Sequence, residues 1–501
     1  MKILTLSNLF PLVNLQHPNI PIKGITCDSR KVEEGFLFVC ITGYKLDGHQ
    51  FVEDAIRRGA VAIVGEKELS LPPDIEYIKV ENSRKTMANI ISLFYGNPAN
   101  SLNLIGITGT NGKTTTAFMV KNILKNAGYQ VGLIGTIEVH IGEEVVSTNL
   151  TTPDSFEIQK LFAEMVERGI KWVVMEVSSH ALKLDRVEGC KFKVSVFTNF
   201  TQDHLDFHPT IEDYWSTKAH LLDFQPQYIN PIAVFNGDDK EVRKLIPTFG
   251  GHRVVFTISK DLEDLISANT IIKAFNLKFT SGGTIFNFLW EGKTYEVNLK
   301  LLGCFNVYNA IAALGATLSL GIAPEVAISA LEDMQPVKGR FQPVWAGQQF
   351  KAIVDYAHTP DGLENILKSL REITLGKLIV VFGCGGDRDP FKRPLMGRIA
   401  AKLADFVIIT SDNPRSEDPN KIIAEIYAGV KEVELEKKVS CILEPDRKKA
   451  IALAVERASS FDTVLVAGKG HETYQLIGKE RLPFDDTEVL KEVIKDVLIN
   501  E

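Results

Sequence analysis

The chain has 501 residues, 45% of them hydrophobic and 24% charged, with 37 glycines and a formal net charge of -7. That length exceeds what one hydrophobic core serves, and the composition is that of an ordinary folded protein, which excludes disorder, collagen-like repeats and solenoids. The acid excess, with no dense Lys/Arg run, argues against a nucleic-acid partner.

In chain order, the first segment (Met1 to Leu15) is apolar in places, but Ser7, Asn8 and Pro11 interrupt it and no small-residue cleavage site follows. No apolar stretch approaches the roughly 20 residues that cross a bilayer. A soluble monomer in the cytoplasm, without membrane association, is the expectation. Cys27, Cys40, Cys190, Cys304, Cys384 and Cys441 stand far apart with no C-x-x-C pair, which fits a reducing compartment and signals neither a zinc site nor a disulfide framework.

The first hundred residues carry short apolar runs, a Gly-bounded loop and Pro72–Pro73, the marks of a small leading domain. Beyond them one unit recurs: a β-branched run, an abrupt polar stop, then a helical period. The runs are Leu102–Thr108, Trp172–Val177, Val194–Phe197 and Ile232–Phe235, and the pattern restarts near Lys351 with Ala352–Val354, Leu378–Phe382, Phe406–Ile409 and Thr463–Val466. This predicts an α/β protein of three domains: a small N-terminal α/β domain over 1–97, a central parallel-sheet domain over 98–336 and a C-terminal Rossmann-like domain over 337–501. Ligands in such sheets bind beyond the carboxyl ends of the strands, where the polar stops fall.

The strongest signal is Gly106-Ile-Thr-Gly109-Thr110-Asn111-Gly112-Lys113-Thr114-Thr115, which follows an apolar strand and opens a helix running to about Ala127, with Gly128 as its cap. Backbone N–H groups of such a loop face phosphate, Lys113 reaches the outer phosphates, and Thr114 or Thr115 can hold Mg²⁺. The spacing departs from the strict phosphate-loop pattern at Gly106, yet strand, lysine and hydroxyls together predict ATP binding and a P-loop ATPase-like central domain. The bland alternative is a glycine turn before a capped helix. Glu176 and His204 stand at two later strand ends, as candidate metal ligands or as a helix cap and a structural histidine.

Gly109-Thr-Asn-Gly-Lys-Thr, Glu176-Val-Ser-Ser-His, Asn199 through His208, Asn236-Gly-Asp-Asp239, Gly303-Cys-Phe-Asn306-Val-Tyr-Asn309-Ala-Ile-Ala-Ala and Asp355-Tyr-Ala-His358-Thr-Pro-Asp361 follow one another along nearly the whole chain. In this the chain resembles the Mur ligases, which form the amide bonds of bacterial cell-wall precursors. The resemblance implies a leading domain for the UDP end of one substrate, a central ATPase domain and a trailing domain for the incoming amino acid. It also implies that Glu176 and His204 hold Mg²⁺, that Asn306, Asn309 and Arg340 contact ATP, and that Lys218 is carbamylated to become a metal-binding anion. Taken without the family, Lys218 would be an ordinary solvated helix lysine.

Gly383-Cys-Gly-Gly-Asp-Arg388-Asp389 and Asp412-Asn413-Pro414-Arg415 both follow apolar strands of the trailing domain. Arginine can clamp a carboxylate through two parallel hydrogen bonds, and two arginines suit a substrate with two carboxylates; a turn and surface ion pairs are the plain alternative. The tetrapeptide resembles that of family members adding meso-diaminopimelate, and Gly468 and Glu472 match their remaining contacts. Asp28-Ser29-Arg30 and the Gly43–Gly48 loop match the uridine-side loops, while Thr151, Thr152, Ser178 and Arg186 match contacts to the muramoyl dipeptide; Leu184 stands where some relatives place Gln. The expected reaction is ATP-dependent addition of meso-diaminopimelate to the D-glutamyl γ-carboxylate of a UDP-muramoyl dipeptide through an acyl phosphate, with His358 or Asp355 orienting the amine step. A lysine-adding member, a folylpolyglutamate synthase-like ligase, a small-molecule kinase and a non-catalytic ATP-gated binding protein are the alternatives.

Overall fold

The computed structural model describes residues 4–43, 46–148, 150–225, 230–259, 267–280, 282–434 and 439–500. The chain forms two compact units, one of Met1–Gly106, Tyr129–Ser195 and His220–Pro231, the other of Ile107–Gly128, Val196–Ala219 and Ile232–Glu501.

The first unit opens on a parallel sheet in the order Gly24–Thr26, Phe36–Val39, Ala60–Gly65 and Glu76–Lys79. Its central strands are apolar throughout because both faces are covered: Leu37 and Val39 pack with Ile90 and Ile91 on one side, Phe38 and Ile63 with Val32 and Ala55 on the other. Helix Ser83–Phe94 begins where the Asn82 side chain accepts from the Lys85 amide. The same unit carries Val131–Ile134, paired parallel with Trp172–Glu176 and antiparallel with Glu138–Ile141. Strand Trp172–Glu176 is buried over its whole length and delivers Glu176 at its end. Tyr44 and Lys45 of the Gly43–Gly48 loop lie outside the described residues.

In the second unit, Ile232–Asn236, His252–Thr257 and Thr270–Thr280 pair in parallel, and Gly283–Trp290 and Lys293–Leu299 extend that sheet antiparallel. This extension was not read from the sequence, since these strands alternate in burial and carry no polar stop of chemical character. Helix Cys304–Leu318 is buried on nearly every side and packs on helix Lys113–Asn126 and on strands Ile232–Asn236 and His252–Thr257. A second sheet runs Gln342–Val344, Lys351–Asp355, Thr463–Ala467, Leu378–Phe382, Phe406–Ile409 and Ser440–Leu443, all parallel after the first pair. Leu367, Met396, Ala400 and Ile426 cover one face of it, Ile451, Ala454, Leu490 and Ile494 the other. This is the doubly wound arrangement the strand–loop–helix pattern predicts, and it sets three polar loops side by side at the carboxyl ends of the strands.

Candidate active site

Strand Asn103–Thr108 turns through Gly109–Gly112 into helix Lys113–Asn126. Gly109 (φ +144°) and Gly112 (φ +83°) allow no side chain: a Cβ would stand 1.9 Å from Thr198 Oγ1 in the first case and 2.3 Å from Asn309 Oδ1 in the second. Gly106 serves a different purpose, since a Cβ there would meet the Phe192 ring at 2.8 Å. It is a packing glycine within the strand, which is why its spacing departs from the phosphate-loop pattern. The loop is clamped by the next strand end: Thr198 Oγ1 and Asn199 Nδ2 donate to the Asn111 carbonyl at 2.6 and 3.1 Å, and Asn199 Oδ1 accepts from the Asn111 amide at 2.8 Å. Thr110 Oγ1 donates to the Thr201 carbonyl at 3.0 Å.

Lys113 Nζ donates to the Gly109 and Thr110 carbonyls at 3.0 and 2.9 Å, so its ammonium already curls over the loop. Thr114 and Thr115 are buried, and Arg340 Nη2 donates to Thr114 Oγ1 at 3.1 Å. Asn309 Nδ2 donates to Asn306 Oδ1 at 3.1 Å. Asn111, Gly112, Thr115, Asn306, Asn309 and Arg340 line a cleft of about 320 Å³, whose walls also include Phe256, Phe305 and Phe341. Backbone amides at a helix N-terminus, a cradle that any Cβ would fill, and an apolar wall suit a nucleoside polyphosphate.

Asp355 and His358 line the same cleft. The Tyr356 ring is covered by the Arg340 guanidinium at 4.5 Å and flanked by the rings of His358 at 4.5 Å and His471 at 5.0 Å. Burial, with the charge of Lys392, pushes the His358 imidazole down to about 4, and its Nδ1–H donates to the Tyr356 carbonyl at 2.7 Å. At neutral pH the ring is therefore neutral. The two Asp355 carboxyl oxygens accept from the Phe341 and Ala357 amides at 2.6 and 2.7 Å, and burial raises the Asp355 pKa against the pull of Arg340. That carboxylate holds the turn on which His358 sits. Asp361 accepts from Asn111 Nδ2 at 2.8 Å and ties helix Pro360–Ile373 to the phosphate loop.

His204 adopts φ +55°, and its Nε2 stands 3.4 Å from Asp203 Oδ2. Burial disfavours the Asp203 charge, but the electrostatic pull of His204 and Lys392 outweighs it and holds the carboxyl well below the usual range. Lys218, buried on helix Ile211–Ala219, donates from Nζ to the Gly109 carbonyl at 2.8 Å and lies 4.6 Å from the Tyr214 ring. Burial first, then the charge of Lys113, push this amine well below the ordinary lysine range against the attraction of Asp203. The result is an amine whose neutral, nucleophilic form is more accessible than in an ordinary lysine.

In the other unit, Glu176 Oε1 accepts from the Thr136 amide at 2.8 Å and Oε2 from the Thr136 hydroxyl at 2.9 Å. The Thr152 hydroxyl stands 2.8 Å from the Glu176 carbonyl and 3.2 Å from Ser178 Oγ, and Arg186 Nη1 donates to the Thr152 carbonyl at 2.9 Å. Thr151 Oγ1 lies 3.1 Å from Thr136 Oγ1, so the expected dipeptide residues gather around one strand end. Ser29 is buried at the turn Ser29–Lys31, which Asp28 caps.

Arg388, Asp412 to Arg415, Gly468 and Glu472 converge from three loops of the second sheet. Arg415, in the left-handed region at φ +52°, donates from Nη1 to the Gly386 carbonyl at 2.7 Å, two residues from Arg388. The Gly386 amide donates to the Asn413 carbonyl at 2.9 Å, and a Cβ on Gly386 would lie 1.9 Å from the Pro414 carbonyl. Asn413 Nδ2 donates to Glu472 Oε2 at 2.7 Å, and a Cβ on Gly468 would approach Asp412 Oδ2 to 2.6 Å. Arg388 Nη1 also stands 3.8 Å from Asp206 Oδ2.

Residues 107–317 match the description Mur ligase middle domain, 339–470 the Mur ligase glutamate ligase domain and 21–95 the Mur ligase family catalytic domain. A UDP-N-acetylmuramoyl-L-alanyl-D-glutamate–2,6-diaminopimelate ligase of Caldanaerobacter subterraneus subsp. tengcongensis is 45% identical over 482 residues, 96% of each chain. The chain belongs to the Mur ligase family. A solved structure described as UDP-N-acetylmuramoyl-L-alanyl-D-glutamate–2,6-diaminopimelate ligase covers 99% of this Mur ligase and 100% of its own chain at 31% identity and a TM-score of 0.69. The MurF ligase of Thermotoga maritima in complex with ADP shares the fold at 22% identity and a TM-score of 0.63, over 95% of this chain and 97% of its own.

Among the described residues of this Mur ligase no helix is long and apolar enough to cross a membrane. Sequence reading passed over Lys392, which is 7% exposed on the first turn of helix Lys392–Leu403 and bears electrostatically on both Asp203 and His358. The signal was present: a lysine opening a helix works against the positive end of the helix dipole and needs another reason to be there.

Proposed function

We propose that this Mur ligase uses ATP to join meso-diaminopimelate to the D-glutamyl γ-carboxylate of UDP-N-acetylmuramoyl-L-alanyl-D-glutamate, a step of peptidoglycan precursor synthesis. The observation that carries the amine specificity is the hydrogen bond from Arg415 to the Gly386 carbonyl, which brings the Asp412–Arg415 loop against the loop of Arg388. Two guanidinium groups on neighbouring loops suit an amino acid with two carboxylates, whereas lysine offers only one.

The γ-phosphoryl of ATP passes to the γ-carboxylate to give an acyl phosphate and ADP. A neutral amine of diaminopimelate then attacks the acyl carbon, and phosphate leaves. Lys113 and the loop amides receive the polyphosphate, and Asn306, Asn309 and Arg340 bracket the rest of the nucleotide. Catalysis then consists mainly of positioning and electrostatics. Neutral His358, its Nδ1–H held by the Tyr356 carbonyl, presents Nε2 as a hydrogen-bond acceptor that can orient the attacking amine. Thr114, His204 and Lys218 as its carbamate would hold Mg²⁺, which neutralises phosphate charge when bound. The hydroxyl and carbamate oxygens supply the hard donors that ion prefers, and the suppressed basicity of Lys218 favours the uncharged amine that takes up carbon dioxide.

Incubating the protein with ATP, Mg²⁺ and the UDP-muramoyl dipeptide, with meso-diaminopimelate or L-lysine as amine, tests the reading. Phosphate release and nucleotide-tripeptide should appear together with diaminopimelate. Product from lysine alone would overturn the amine assignment. Phosphate release indifferent to both substrates would overturn the ligase reaction itself.

A further inference from the structure

The Lys469 side chain has 0% exposure, an unusual setting for lysine. Its ammonium is shared among Glu472 Oε2 at 3.0 Å, Asn413 Oδ1 at 3.3 Å and the Tyr474 carbonyl. Asn413 Oδ1 also accepts from the Leu476 amide at 2.9 Å. Two donors meeting on one atom require that atom to be the amide oxygen, which leaves the Asn413 nitrogen aimed at Glu472 Oε2, 2.7 Å away. Both hydrogen bonds accepted by the Glu472 carboxylate fall on Oε2, and Oε1 accepts none among the described residues.

We propose that Lys469 is a positioning residue for amine specificity, one that fixes Glu472 and Asn413 so that Glu472 Oε1 is presented as an acceptor for the ammonium of a zwitterionic amino-acid centre. Lys469 does not meet the substrate, because its donors are engaged by three protein oxygens. It compensates the Glu472 charge from behind, holds that carboxylate in one rotamer and forbids the flipped Asn413 amide. The carboxylate of the same centre falls to Arg415. This inference rests on the reading that the amine substrate carries a second amino-acid centre.

A double-mutant cycle with Lys469→Met and Glu472→Gln tests it, with steady-state constants measured for meso-diaminopimelate, L-lysine and ATP. Lys469→Met should raise the KM for diaminopimelate about tenfold or more, the loss of a charge-assisted contact, and leave the KM for ATP within about twofold. Glu472→Gln should do the same, and the double variant should be no worse than the poorer single one, because the lysine acts through the glutamate. Additive losses, or equal losses toward ATP and amine, would overturn the proposal. Should Lys469→Met fail to fold, Lys469→Gln, which keeps a donor without the charge, is read by the same criteria. A parent enzyme that accepts only L-lysine would overturn the substrate reading instead; the cycle run with L-lysine then decides the positioning role, and variants indifferent to it sink that role.

Discussion

Gly112 meets Asn309 so closely that a methyl group on residue 112 would lie 2.3 Å from the asparagine Oδ1. One residue belongs to the phosphate loop, the other to the buried helix Cys304–Leu318, and the two expected nucleotide contacts are thus one mechanical unit. Gly112→Ala must part them, both by overlap and because φ +83° strains any other residue. Affinity for a fluorescent ATP analogue should fall by about tenfold or more. Undiminished binding would mean that the loop tolerates a wider gap.

Lys218 offers a second test, independent of nucleotide affinity. If it works as a carbamate, activity should decline when dissolved carbon dioxide is stripped and recover with bicarbonate. Lys218→Ala should lose about two orders of magnitude in turnover, partly restored by short carboxylates that fill the vacated space. An enzyme indifferent to bicarbonate, together with an active Lys218→Arg variant, would make this lysine purely structural.

Removing the Arg415 guanidinium separates amine recognition from the rest of the reaction. Arg415→Ala should raise the KM for meso-diaminopimelate by about tenfold to a hundredfold, as loss of a charged hydrogen-bonding partner does, with the KM for ATP little changed. Equal damage to both constants would assign Arg415 to loop structure, through its bond to Gly386.

The pKa of His358 is depressed from 6.5 to about 4, which fixes the sign of a pH effect. Below the ordinary value the unfolded chain takes up a proton that the folded chain refuses, so this contribution is full above about pH 6.5 and is lost as pH falls toward 4. Because the ring keeps some contact with solvent, the loss should be on the order of 2 kcal/mol. Urea midpoints at about pH 7 and about pH 5 should differ less in His358→Asn than in the parent. Equal pH sensitivity in the two proteins would assign the acid lability to other groups.

Much of this architecture is written locally. Runs such as Leu378–Phe382 and Phe406–Ile409 are strands at those bounds, because a fully covered parallel strand needs an unbroken apolar run and must end in polar residues. The phosphate loop was legible because its glycines, lysine and hydroxyls are adjacent in the chain. What sequence could not show are partnerships across long separations. Arg447 and Asp486 form a fully buried ion pair, with Arg447 also donating to the Ser411 and Ala467 carbonyls just before two site loops. Neither residue carries a local mark of that role. Asp355 invited a chemical reading by its place in a motif, yet both its oxygens are engaged by backbone amides.

The thinness of helix Cys304–Leu318 has a consequence for how the protein can vary. Ala310, Ala312, Ala313, Gly315 and Ala316 keep its second half narrow, and a Cβ at Gly315 would already stand 3.1 Å from Val234 Cγ1. The helix works as a spacer of set gauge between the sheet and the helix of the phosphate loop. Thickening it by a methyl group where it meets the sheet or the phosphate-loop helix shifts the seat of the phosphates, so catalytic geometry is sensitive to changes at residues that touch no substrate.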